Sequence, residues 1–186
     1  MSDITELVKK AKRGDFSAFE KLVKSHSAKV YSVLLRITGN SADAEDGLQE
    51  TFLRVFKSLN RLRGDENFSI WLMRIEVNVA RSIVRKREPY HFNIDTIPIT
   101  KELFDWSENP ELVLKRKELL HAIEKFINEL PVEFREPFVL RDVEGFSVKD
   151  ISKILGISES LVKIRAHRAR LVLREKITQF FSKGKK

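Results

Sequence analysis

The chain contains no cysteine, which excludes disulfides, thiolate zinc sites and thiol catalysis. Glycine and proline are sparse, at 7 and 5 in 186 residues. That is too few for a collagen-like, low-complexity or turn-rich all-β chain. No apolar run approaches the roughly 18 residues that a membrane-spanning helix needs. The start of the chain lacks a signal-peptide pattern, so a soluble, cytoplasmic protein is expected. No nucleophile–base pair, His-rich metal spacing, glycine-rich phosphate loop or carboxylate pair stands in a convincing context. The expectation is therefore a non-enzyme, with no catalytic residue, no metal, no cofactor and no small-molecule substrate.

Positive charge is what the chain has in excess. It carries 35 Lys+Arg against 27 Asp+Glu, a formal net charge of +8. Such a balance points to a polyanion, nucleic acid first and an anionic membrane surface second. The charge is not evenly spread: residues 1–88 are net +5, residues 89–110 net −3 and residues 111–186 net +6. The middle stretch holds three of the five prolines and has no clean period. It reads as a linker between two basic modules, too apolar to be a solvated spacer.

Everything with a period reads as helix. Ile4, Leu7, Val8 and Ala11 define a first helix, stopped by Gly14. Asp15 can cap a second that carries Phe16, Phe19, Leu22, Val23, Val30, Val33, Leu34 and Ile37. A third starts near Ser41 and is expected to bury Leu48, Phe52, Val55, Phe56 and Leu59. A fourth runs from about Phe68 to Arg87, ending before Pro89. In the second module a helix extends from Pro110 through Ile127, and Pro131 suits the first turn of the next. Pro137 lies deeper in that helix and predicts a kink. Ser147 caps a short helix over 148–155, with Asp150 completing an imperfect capping box. Gly156 then turns the chain into a long basic helix, the pattern of a helix-turn-helix. The tail 182–186 should fray. The fold class is all-α: two small helical domains, 1–88 and 111–186, joined by an irregular linker over 89–110.

Three helix faces are candidates for function. On the last helix Val162, Ala166, Ala169 and Leu173 share a core-facing stripe, while Lys163, Ile164, His167 and Arg168 point the other way. In a helix-turn-helix these meet base edges and phosphates in the major groove; a merely solvated basic face is the alternative. On the fourth helix Phe68, Leu72, Ile75, Val79 and Ile83 share one face, with Trp71 at its edge. Arg74, Asn78, Arg81 and Arg85 recur at i, i+4, i+7 and i+11 opposite, a spacing that suits a phosphate backbone and one base-reading amide. The polar loop 63–67 before it contains Arg63, Asp65 and Asn67 and suits an unstacked base. A solvated face remains open here too. On the third helix Asp46, Gln49, Glu50 and Leu53 form an acidic, partly apolar edge that repels DNA. If used, it meets protein; taken alone, it reads as solvated.

Together these residues resemble a known family. Asp43-Ala44-Glu45-Asp46-Gly47-Leu48-Gln49-Glu50-Thr51-Phe52-Leu53-Arg54-Val55-Phe56 is similar to its DAEDxxQETFLRxF signature, and Phe68-Ser69-Ile70-Trp71-Leu72-Met73-Arg74-Ile75 with Asn78 to its FxxWLxRIxxN motif. Leu130-Pro131 through Arg141, then Glu144-Gly145-Phe146-Ser147 and the helices through Arg170, resemble its C-terminal domain. These are marks of extracytoplasmic-function (ECF) sigma factors of bacterial RNA polymerase, over roughly 15–177. The resemblance implies a region 2 helical domain at 1–88 and a region 4 helix-turn-helix at 111–186. It implies that Asp46, Gln49, Glu50 and Leu53 bind the polymerase core. It assigns Arg63, Asp65, Asn67, Trp71, Arg74, Asn78, Arg81 and Arg85 to the −10 element, where the duplex melts and a base flips out. It assigns Lys163, Ile164, His167 and Arg168 to the −35 element. Implied partners are core polymerase, through the clamp helices and flap of its large subunits, promoter DNA and an anti-sigma factor.

Three positions depart from the pattern. Gly47 stands where an aliphatic residue is usual, at a helix-propensity cost of about 1 kcal/mol relative to Ala, and predicts a softened helix. Ser160-Leu161 replaces a common Gly-Thr. Ile164 replaces a small polar residue and suits a thymine methyl. A free-standing helix-turn-helix repressor or activator, dimeric on a palindrome, is the competing reading. A basic membrane-surface or general RNA-binding protein is the third.

Overall fold

The computed structural model describes residues 2–62, 68–87 and 112–183. Among these residues eight α-helices follow in order: α1 (Ser2–Lys12), α2 (Phe16–Thr38), α3 (Ser41–Ser58), α4 (Phe68–Arg87), α5 (Leu112–Asn128), α6 (Val132–Phe138), α7 (Val148–Leu155) and α8 (Glu159–Lys183). No strand occurs among the described residues, and the all-α expectation holds. The loop 63–67 and the segment 89–110, with Arg63, Asp65 and Asn67, lie outside the described residues.

Helix boundaries follow local chemistry. The Asp15 carboxylate accepts from the Ala18 amide at 3.0 Å, capping α2, and Asn40 caps α3 through the Asp43 amide at 3.0 Å. Each such cap contributes about 1 kcal/mol by pairing an amide that the helix leaves unbonded. Gly39 closes α2 in the left-handed conformation, φ 70°, which only glycine adopts without steric cost. At α7, Ser147 accepts from the Asp150 amide at 3.1 Å, and its own hydroxyl donates to the Asp150 carboxylate at 2.7 Å. The capping box is thus truncated, because Asp lacks the extra methylene that lets Glu reach back to the cap amide. Pro137 does not simply kink α6. Directly after α6 the backbone widens into a π-helical turn over Val139–Val143. Helix α8 continues through Lys183, so the fraying expected over 182–186 does not hold at Ser182 and Lys183; residues 184–186 lie outside the described residues.

The first module packs α2, α3 and α4 against one another, with α1 along α2. The buried row of α3 is Ala44, Gly47, Thr51 and Val55, leading to Leu59 in the following turn. Leu48 and Phe52 pack at its flank. Phe56, expected inside, is 50% exposed, and Phe16 is 71% exposed. Gly47 and Thr51 hid the true stripe because neither registers as apolar.

The two modules share one core. Val30, Leu34, Val55, Leu72 and Val77 of the first module cluster with Leu140, Ile151, Ile154, Leu155 and Val162 of the second. A satellite cluster of Ile127, Leu130, Phe134, Val139, Ala169 and Leu173 holds α5, α6 and α8 together. The Val162, Ala166, Ala169 and Leu173 stripe is buried as expected. Helix α4 is buried more widely than its stripe predicts: Met73, Glu76, Val77 and Ala80 join Phe68, Leu72 and Val79. At 100° per residue these span about 180° of the helix, because α4 packs against α2, α3 and α7.

Candidate nucleic-acid interface

Helix α4 brings its polar row to a cleft of about 360 Å³ lined by Asn78, Arg81, Ser82, Arg85 and Lys86. Three of these belong to the stripe read from sequence. Ser82 and Lys86 were missed, although they continue Asn78 by successive steps of four. Asn78 and Arg85 are exposed, so an amide and a guanidinium face outward about two turns apart. Trp71 is only half-buried, its ring 6.1 Å from Phe68 at 40°, which braces the start of α4.

The remaining two arginines of the row are engaged by the second module. Arg81 donates from Nε and Nη2 to the two Glu136 carboxylate oxygens at 3.0 and 2.6 Å. Arg74 donates from Nη2 to the Lys153 carbonyl at 2.8 Å, in the last turn of α7. Burial raises the Glu136 carboxyl above the ordinary range, while Arg81, then Arg165 and Arg85, pull it back. The same hydrogen bond raises the Arg81 guanidinium, which burial opposes. Arg81, Arg85 and Arg165 thus crowd one buried carboxylate, and the field in the cleft beside it is positive.

On the opposite, buried face of α4 lies a group that the sequence pattern did not single out. Glu76 is 1% exposed, and its Oε1 is buried without a hydrogen-bond partner. Desolvation pushes its carboxyl well above the ordinary range; Glu144 adds to the rise and Lys29 opposes it. A charged residue on an apolar arc was the available signal.

On α8, Lys163, Ile164 and His167 are exposed, with Arg168 half-buried beside them. Ile164 is 50% exposed, an apolar contact point in a basic surface. Arg170 is held instead by Asp142, at 2.8 and 3.0 Å, which stiffens the base of this face. Gly156, φ 68°, turns α7 into α8, and Ser158 bonds the Leu161 amide at 3.2 Å to start the second helix. The exposed face is therefore presented by a rigid two-helix unit.

On α3, Asp46, Gln49 and Leu53 are exposed. Glu50 is half-exposed and accepts from Arg54 Nε at 2.6 Å. Beside them stand Phe56 and Phe16, ring centroids 5.7 Å apart. This face is acidic along one edge and aromatic along the other. Among the described residues no group of three acidic or histidine side chains could hold a metal, and no helix is long and apolar enough to cross a membrane.

Residues 22–89 match the family model for sigma-70 region 2, and residues 120–173 match that for sigma-70 region 4. The chain is 32% identical over 180 residues to the ECF RNA polymerase sigma factor SigW of Bacillus subtilis, covering 94% of this chain and 96% of that protein. It is 32% identical to the ECF RNA polymerase sigma-E factor of Escherichia coli K12 over 92% of each. It is 31% identical to the RNA polymerase sigma-H factor of Pseudomonas aeruginosa over 89% of each. In fold it is similar to CnrH in complex with the cytosolic domain of CnrY, with a TM-score of 0.71, 24% identity and coverage of 96% of this chain and 99% of that one. It is also similar to the sigma factor RpoE in complex with the anti-sigma factor NepR from Bartonella quintana, with a TM-score of 0.64, 24% identity and coverage of 86% and 96%.

Proposed function

Since the chain belongs to the ECF sigma factors of RNA polymerase, we propose that its three exposed faces divide the work of promoter recognition among −35 duplex, −10 strand and polymerase. It is an alternative sigma factor, directing promoter-specific transcription. As a member of this family it is an initiation factor that binds core polymerase and promoter DNA.

In our reading the modules correspond to 1–88 and 111–186, with 89–110 between them. Lys163, Ile164, His167 and Arg168 read the −35 element from the major groove, the second helix of a helix-turn-helix being the one that enters it. Asn78, between Arg74, Arg81 and Arg85, reads the −10 strand while the guanidiniums hold its phosphates. Arg63, Asp65, Asn67 and Trp71 complete that site by family likeness, the loop taking the unstacked base. The face of Asp46, Gln49, Glu50 and Leu53, extended by Phe56 and Phe16, docks on the clamp helices of core polymerase, and the second module on its flap. An anti-sigma factor is a further partner in this reading, and the cytoplasm its location. The phosphoryl chemistry belongs to polymerase; this chain supplies specificity.

The observation that carries the reading is the cleft of Asn78, Arg81, Ser82, Arg85 and Lys86 on the helix that bears the FxxWLxRIxxN motif. The test adds the purified chain to core polymerase with a promoter library. Specific run-off transcripts are expected. Tight palindrome binding by the chain alone, without transcripts, would instead establish a free-standing regulator.

A further inference from the structure

The C-terminal turn of α1 concentrates charge that none of the three faces uses. Lys9, Lys10, Lys12 and Arg13 place four cations within five residues. Lys9, Lys10 and Arg13 are exposed, on a helix that buried Val8 holds against α2. Lys12 reaches inward instead. Its Nζ donates to the Leu62 carbonyl at 2.9 Å, and Leu62 closes the 3-10 turn Leu59–Arg61 that follows α3. This bond brings Arg13, next to Lys12, to the same edge of the molecule as Arg61, which is next to Leu62 and also exposed. Leu62 is buried and leads directly into the loop 63–67.

Cations at the end of a helix ordinarily answer its unpaired carbonyls. Here backbone amides do so. The Arg13 and Asp15 amides donate to the Lys10 carbonyl at 3.0 and 3.2 Å, and the Gly14 amide to the Ala11 carbonyl at 3.0 Å. Carboxylates do not neutralise the cluster either. Glu6 lies 3.9 Å from Lys10 with both side chains more than half exposed, a pairing that contributes little. Asp15 turns its carboxylate to the Ala18 amide at 3.0 Å. Lys9, Arg13 and Arg61 make no ion pair among the described residues. Arg61 lies on a separate element, beyond the reach of the α1 dipole, which falls off within the last turn.

We propose that Lys9, Lys10, Arg13 and Arg61 form a phosphate-binding patch that holds the sugar–phosphate backbone of the opened promoter strand beside the −10 site. The proposal rests on the assignment of the −10 strand to the loop 63–67 and the α4 row. The patch borders the N-terminal end of that loop, and Phe68, where α4 begins, stands at the other end. A strand that gives up a base there carries further phosphates past the site. A positive surface along its path holds them without selecting bases, because a flexible single strand follows a charged track. Lysine-rich, exposed and without an apolar centre, the patch is unlike the core of a protein–protein interface, where lysine is depleted. It also divides from the α3 stripe by sign: Asp46 and Glu50 repel a strand, and these four cations attract it. Phosphate contacts of this kind add salt-dependent affinity and position the strand, while the neighbouring groups supply specificity.

The test uses the full chain bound to core polymerase. The probe is a promoter recovered from the run-off library, prepared in two forms: held open over the −10 region by mismatches, or fully paired and kept closed at low temperature. The variant carries Lys9→Gln, Lys10→Gln, Arg13→Gln and Arg61→Gln and leaves Lys12 in place. Its affinity for the open template should fall about tenfold or more at physiological salt, and its logarithmic salt slope should flatten by up to about 3, as expected for four single-strand phosphates. The loss should be equal for matched and scrambled −10 sequences and small on the closed duplex. Parental affinity and slope on the open template would overturn the patch. An equal loss on the closed duplex would make it a duplex contact and overturn the strand assignment. Weaker binding to core polymerase without DNA would overturn it too, by giving these cations to the neighbouring face of Phe16. If the fourfold variant fails to melt cooperatively, Lys9→Gln with Arg13→Gln, and Lys10→Gln with Arg61→Gln, are read by the same criteria. Asn78→Ala on the same templates separates the two levels. If it relaxes −10 discrimination while the fourfold variant matches the parent, the patch alone has failed. If it leaves discrimination intact, the −10 assignment has failed and the patch with it.

Discussion

Gly47 faces Leu34 across the α2–α3 crossing so closely that a Cβ on residue 47 would lie 3.1 Å from Leu34 Cδ2, and 3.2 Å from Ile83 Cδ1 of α4. The glycine is there for proximity, and the softened helix inferred from its propensity is not its main consequence. Gly47→Ala should change unfolding free energy by less than about 1 kcal/mol, as better helix propensity is offset by displacement of buried Leu34. Gly47→Leu should destabilise by about 1–3 kcal/mol through overpacking. Urea denaturation of both variants checks this; a stabilised Leu variant would contradict the close crossing.

Glu76 gives a pH dependence with a definite sign. Its carboxyl is raised in the folded chain, so the native state keeps a proton that the unfolded chain has released. Stability is then full below the ordinary carboxylate range and declines as pH rises through the elevated folded value. Glu76→Gln cannot release that proton. Its urea midpoint relative to the parent should improve from pH 5 to pH 8; parallel midpoints at both values would rule out the raised carboxyl.

Asn78 is exposed between arginines, where an amide can read a base edge. Asn78→Ala should relax −10 discrimination in reconstituted transcription by about 1–3 kcal/mol, the range of one bidentate base contact. Polymerase affinity should not move. A loss of polymerase binding instead would reassign this face.

Arg168→Ala should weaken −35 binding by about 1–3 kcal/mol if its fork meets guanine. Ile164→Ala should have a smaller effect, confined to sites where a thymine methyl faces it. Footprints on promoter variants distinguish the two, and an identical footprint for Arg168→Ala would remove it from the reading set.

On α3, Glu50→Lys should weaken association with core polymerase by charge reversal. It also breaks the 2.6 Å pair with Arg54, which at this exposure contributes little to folding. Phe56→Ala should weaken the same association while leaving stability nearly unchanged, since half of that ring is already in water. Affinity equal to the parent for both variants would return the face to a solvated surface.

Much of this was legible because helices announce themselves locally. Asp15, Asn40 and Ser147 act through amides three residues away, and the Val162–Ala166–Ala169–Leu173 stripe was readable from period alone. The second burial arc of α4 was not. Met73, Val77 and Ala80 look like one more apolar row, and nothing in their spacing says that another module covers them. Glu76 shows the limit most clearly: its place on an apolar arc marks it as unusual, but only its neighbours show that one carboxylate oxygen is buried without a partner.

By itself the sequence determined an all-helical fold class, two basic modules, the exposed basic face of α8 and the family, because each depends on residue spacing within a helix or on a contiguous motif. The tertiary structure decided that Phe56 faces out, that Gly47 is a contact point, and that Arg81 of one module ends on Glu136 of the other. Those outcomes depend on residues distant in sequence meeting in space, 55 positions apart for Arg81 and Glu136. Helical periodicity fixes which way a side chain points from its own axis, but not which surface it will find there.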